Sequence, residues 1–63
     1  MATDKIRFEE VHEYFTKRKW KLLPPYLCYR IFVKPSDPNE PPRWVYVDDD
    51  GNVDKDEFNK VKP

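Results

Sequence analysis

A single cysteine, Cys28, and a single histidine, His12, are all that this 63-residue chain offers of either type. One cysteine cannot close an intramolecular disulfide, so a small domain without staples points to a reducing compartment, here the cytoplasm. One histidine with no cysteine at metal-ligand spacing excludes the common zinc sites, and no partner acid or nucleophile is spaced to make His12 a general base. No apolar run approaches the roughly 18 residues that a membrane span requires, and the opening Met-Ala-Thr-Asp-Lys lacks the apolar centre of a secretory signal. The expectation is a cytoplasmic chain with no metal, no cofactor, no membrane partner and no small-molecule substrate.

Net charge is also missing in total, though not locally. Residues 5 to 34 carry eight Lys/Arg against three Glu, and residues 35 to 63 carry four against eight Asp/Glu. The basic half and the acidic half can attract one another as ordinary solvated faces, or the first can form a groove for phosphates. At this length folding buries only about 60% of the extended chain's surface. Ten aromatic residues offset that scarcity, since each ring can bury about 150 to 250 Å². A ring-dominated core is therefore expected, in one domain spanning residues 1 to 63 with no internal repeat.

Periodicity gives the order of elements. Between Arg7 and Arg18, Phe8, Val11 and Phe15 recur at i, i+3 and i+7, with Glu9, Glu10 and Glu13 early and Lys17, Arg18 and Lys19 at the end. That is an amphipathic helix whose charges suit its macrodipole. Trp20 to Leu23 reads as a short strand stopped by Pro24-Pro25. Tyr26 to Lys34 reads as a second strand, with Leu27, Tyr29, Ile31 and Val33 on an apolar face and Cys28, Arg30, Phe32 and Lys34 on a mixed one. One of these faces can pack on helices while the other meets solvent. Pro35 to Pro42 is a proline-rich hairpin connection, and Trp44 to Val47 is the third strand. After the turn Asp48-Asp49-Asp50-Gly51-Asn52, Asp54 is the N-cap of a second helix, Glu57 completes a capping box, and Val53 with Phe58 forms the hydrophobic staple.

Several smaller patterns have structural readings. Asp48, Asp50, Gly51, Val53 and Glu57 match five positions of a calcium-binding helix-loop-helix, but Tyr46 stands where the first carboxylate belongs and a strand precedes it. A polar turn followed by a helix cap accounts for the same residues. Pro38 and Pro41 have the spacing of a polyproline ligand without its flanking anchors. Cys28 reads as a small buried hydrophobe within a strand. Lys17, Arg18, Lys19, Lys21, Arg30 and Lys34, interleaved with Tyr26 and Tyr29, combine cations and rings, the chemistry that holds phosphates and stacks unpaired bases.

Lys19-Trp20-Lys21-Leu22, Ile31-Phe32-Val33-Lys34-Pro35, Val45-Tyr46-Val47 and the helix from Asp54 follow the order of motifs in the HicA family of toxin–antitoxin systems, which this chain resembles over most of its length. The resemblance implies an α+β fold in the order α-β-β-β-α, similar to double-stranded-RNA-binding domains: a three-stranded antiparallel sheet with both helices packed on one face. Where the family has Gly-Ser-His, this chain has Leu27-Cys28-Tyr29, so Tyr29 occupies the position of the histidine that cuts RNA. A phenol with its ordinary pKa near 10 is a poor base at neutral pH. The resemblance therefore implies an RNA-binding domain without ribonuclease activity, contacting RNA through Lys17, Lys19, Lys21, Arg30, Lys34 and Tyr29. The alternatives are a protein-interaction module that meets an antitoxin-like or otherwise basic partner, using the sheet's exposed face or edge or the acids from Asp48 to Glu57, and a residual mRNA interferase.

Overall fold

The computed structural model describes residues 4–63. The opening Met1-Ala2-Thr3, where the absence of a signal was read, lies outside the described residues. Strand β1 (Lys5–Arg7) leads directly into helix α1 (Phe8–Lys17); β2 (Lys21–Leu22), β3 (Tyr29–Val33) and β4 (Arg43–Tyr46) follow; β5 (Asn52–Asp54) leads into helix α2 (Lys55–Val61). The central strands form the expected antiparallel sheet in the order β2-β3-β4, and β1 pairs with β5 in a separate two-stranded ladder. This is an α+β domain.

Helix α1 buries Val11 and Phe15 and begins without a side-chain cap, its Phe8 amide donating instead to the Gly51 carbonyl at 3.1 Å. Its end is a Schellman closure: Lys19 donates to Thr16 O and Trp20 to Phe15 O, both at 3.0 Å, with Lys19 left-handed at φ 70 and the Trp20 and Phe15 rings edge to face at 5.5 Å. Helix α2 starts as expected at Asp54, whose carboxylate accepts from the Asp56 amide at 2.8 Å. The Glu57 carboxylate lies 3.9 Å from Lys60, an i,i+3 pair on the helix surface. Val53 is buried and Phe58 packs against the core, the two ends of the expected staple.

Both helices lie on one side of the sheet. Phe15 stacks on Phe32 of β3 with centroids 4.2 Å apart and planes within 8°, and Phe58 of α2 meets Tyr14 at 5.1 Å and Phe15 at 6.4 Å. The buried set is Val11, Phe15, Trp20, Phe32, Val45, Val47 and Val53. Four valines and three rings make this core, so the expectation of a ring-dominated interior is corrected. Of the other seven rings, Phe8, Tyr14 and Phe58 pack partly buried against this core, and Tyr26, Tyr29, Trp44 and Tyr46 are exposed.

The second strand differs from its expected form at its start. Tyr26 and Tyr29 exchange backbone hydrogen bonds at 3.1 and 2.8 Å, so Leu27 and Cys28 form a two-residue turn and the strand begins at Tyr29. Cys28 is accordingly exposed in a turn rather than buried in a strand. The face turned toward the helices is the mixed one. Cross-strand partners share a face, and Arg30 is registered with buried Val45, while Phe32 is itself buried. Arg30 satisfies its own charge locally, donating to the Tyr29 carbonyl at 3.2 Å with its guanidinium 5.9 Å from the Phe8 ring centre. The strand at Trp20 to Leu23 shortens to Lys21–Leu22, and β1 and β5 add a ladder that the sequence does not announce.

Candidate interaction surface

With Phe32 and Val45 inside, alternation along the strands places Tyr29, Ile31 and Val33 of β3, Trp44 and Tyr46 of β4, and Lys21 of β2 on the outer face. Tyr29 lies opposite Tyr46, Ile31 opposite Trp44, and Val33 opposite Lys21. Tyr26, bridged to Tyr29, joins the same set. The four rings touch in a chain, Tyr26 to Trp44 at 6.0 Å, Trp44 to Tyr29 at 5.6 Å and Tyr29 to Tyr46 at 5.7 Å, all edge to face. Each is between 38% and 55% exposed. Leu27, at the turn beside Tyr26, is 79% exposed and holds a left-handed backbone at φ 54. That conformation costs an L-residue on the order of 1 kcal/mol, and the leucine side chain gains little burial in return.

One end of the ring face opens into a groove of about 320 Å³ lined by Tyr29, Tyr46, Lys5, Asp48, Asn52, Asp54 and Glu57. The Asp48 carboxylate organises it. Its Oδ1 accepts from the Asp50 and Asn52 amides at 3.0 and 2.9 Å, and its Oδ2 accepts from Lys5 Nζ at 2.6 Å. The Lys5 hydrogen bond and the Asn52 amide hold the Asp48 carboxyl below its ordinary pKa, and the same bond with the Asp48 charge raises the Lys5 ammonium. Among the described residues no His, Cys, Asp and Glu group is arranged to hold a metal ion. Of the calcium-like motif's acids, Asp48 is engaged in the turn and Glu57 pairs with Lys60, while the helix cap is Asp54.

The depressed carboxyl fixes the sign of a pH effect. Asp48 contributes fully to stability above about pH 5 and loses that contribution as pH falls through its folded value. The Lys5 contribution is present below its ordinary value and is lost only as pH rises through the raised one. Urea denaturation of Asp48→Asn, whose remaining oxygen can still accept from the turn amides, is expected to fall less steeply between pH 5 and pH 3 than the parent.

The six residues expected to contact RNA are divided by the fold. Tyr29 and Lys21 are on the outer face. Lys17 pairs with Glu13 at 2.9 Å on helix α1, Lys19 sits in the helix-closing turn, Arg30 points toward Phe8, and Lys34 is half-buried where the proline-rich loop begins. His12 stacks on Phe8 with centroids 6.0 Å apart, on the helix side of the molecule. Tyr26, Trp44, Tyr46 and Leu27 were not singled out together. The available signal was the Trp-Val-Tyr-Val alternation from Trp44 to Val47, in which both valines are buried and both rings exposed. In comparisons with protein-family models, curated proteins and solved structures, none matches this chain.

Proposed function

We propose that this chain is a protein-interaction module whose outer sheet face takes a positively charged segment of a partner. The observation that carries the reading is the pairing of an exposed four-ring surface with an acidic border: the groove at its end holds three carboxylates against the single ammonium of Lys5. Rings favour cations over their faces and apolar groups against them, and carboxylates favour lysine and arginine. The same border disfavours RNA, whose affinity rests largely on phosphates neutralised by Lys and Arg. In the HicA-like reading the partner would be an antitoxin-like protein, although the surface chemistry asks only for cations with apolar neighbours.

Two probes separate this reading from the nucleic-acid one. Trp20 is buried and Trp44 is exposed, so ligand-dependent changes in tryptophan fluorescence report mainly on the outer face. A synthetic peptide of alternating arginine and valine is expected to shift that signal saturably, and an oligouridylate of matched length to leave it flat. Saturation by the oligouridylate with a steep salt dependence, and none by the peptide, would overturn the proposal in favour of RNA.

A further inference from the structure

The groove already contains a cation, and it is the chain's own. Lys5 is registered opposite Asp54 in the β1–β5 ladder, where a cross-strand ion pair would be the ordinary outcome. Its ammonium instead reaches Asp48, beside Tyr29 and Tyr46 in the groove lining. The other two acids have separate work, since Asp54 caps α2 and Glu57 faces Lys60. Asp48 Oδ2 is thus the groove's principal seat for a cation, and Lys5 fills it with a side chain that remains 44% exposed.

We infer that Lys5 is an internal placeholder, displaced when an arginine of the partner segment enters the groove. This rests on the reading of the outer face as a site for a basic partner, and it adds the residue that is recognised and a built-in competitor for it. A guanidinium suits the seat better than an ammonium does. Its planar fork can bond a carboxylate through two N–H groups, it stacks on aromatic faces, and it is less strongly hydrated. The Lys5 side chain is solvent-accessible, so its ammonium can be released directly to water. Lys5 thereby favours arginine over lysine: a partner lysine replaces one ammonium with another, whereas an arginine placed against the rings adds a second N–H bond and a stacking contact.

The test is fluorescence anisotropy of the arginine–valine peptide, labelled at one end, titrated with the intact protein and its variants. Lys5→Gln removes the competitor and one positive charge, and is expected to tighten binding about fivefold, the scale of one exposed ion pair. Asp48→Asn in the same background is expected to cancel that gain, and a lysine–valine peptide to bind the parent more weakly than its arginine counterpart. Melting curves establish that each variant is folded. Unchanged or weaker binding by Lys5→Gln, with Trp44→Ala still weakening it strongly, would overturn the placeholder and leave the binding surface standing. Binding indifferent to Trp44→Ala would remove both.

Discussion

Phe15→Ala is expected to destabilise the chain by about 3 to 5 kcal/mol, leaving it marginal or unfolded at 25 °C. Phe15 is fully buried and is the one side chain that meets every layer: it stacks on Phe32 of β3, stands edge to face against Trp20 of the helix-closing turn, and approaches Phe58 of α2. Truncating a buried phenylalanine costs about 3 to 5 kcal/mol, because the transfer free energy of the ring is lost and the cavity collapses only in part. At roughly 0.05 to 0.15 kcal/mol per residue, a chain of this length has about 3 to 9 kcal/mol in total. The single change therefore removes at least about a third of the stability and, at the lower end of that range, all of it. Loss of the cooperative thermal transition followed by circular dichroism is the expected result. A variant that still melts cooperatively within about 1 kcal/mol of the parent would show that Phe15 is not the keystone of the core.

What the sequence discloses, and what it hides, follows from how each element is specified. Helix α1 is legible because Phe8, Val11 and Phe15 recur at helical spacing with polar residues between them. The start of α2 is legible because Asp54 caps it locally. Strands β1 and β5 have three residues each, too few for an alternation to be recognised, and they exist because their pairing lets the Gly51 carbonyl receive the Phe8 amide and the Asp4 carbonyl the Lys55 amide. The turn at Leu27-Cys28 is hidden because it contains none of the glycine, asparagine or aspartate that such turns usually employ.

Most of the candidate surface is hidden for a different reason. Local hydrophobicity favours burying Tyr29, Ile31 and Val33 over Arg30 and Phe32, yet the tertiary fit selects the reverse. Phe32 has a flat partner in Phe15, and Arg30, only partly buried, keeps its guanidinium in exposed hydrogen bonds to the Leu27 and Tyr29 carbonyls. Once that choice is made, pleating carries Tyr29, Trp44 and Tyr46 outward together. The basic residues interleaved along the sequence belong to different sides of the fold, and of the six expected to contact RNA only Lys21 shares the ring face with Tyr29. Charge counted along a chain does not say which charges meet.

The exposed rings should separate binding from stability as sharply as Phe15 joins them to folding. Trp44→Ala is expected to weaken the arginine–valine peptide by about thirtyfold or more while keeping a cooperative melt, with the melting temperature lowered by roughly 5 to 20 °C. Trp44 is at the centre of the ring chain, touching both Tyr26 and Tyr29, and it is half exposed. Removing it forfeits two edge-to-face contacts of about 0.5 to 1.5 kcal/mol each at most and opens no interior cavity. A central tryptophan in a binding patch, by contrast, typically accounts for 2 kcal/mol or more of affinity. Leu27→Asn sharpens the distinction. Asparagine accepts the left-handed backbone more readily than leucine, so this variant should match or exceed the parent in stability, yet lose affinity because an apolar contact at the edge of the patch is gone. Calorimetric titration beside thermal melts measures both quantities on the same samples. If Leu27→Asn binds as well as the parent and Trp44→Ala does too, the outer face is ordinary solvent-exposed sheet, and the strained, exposed leucine has no role in recognition.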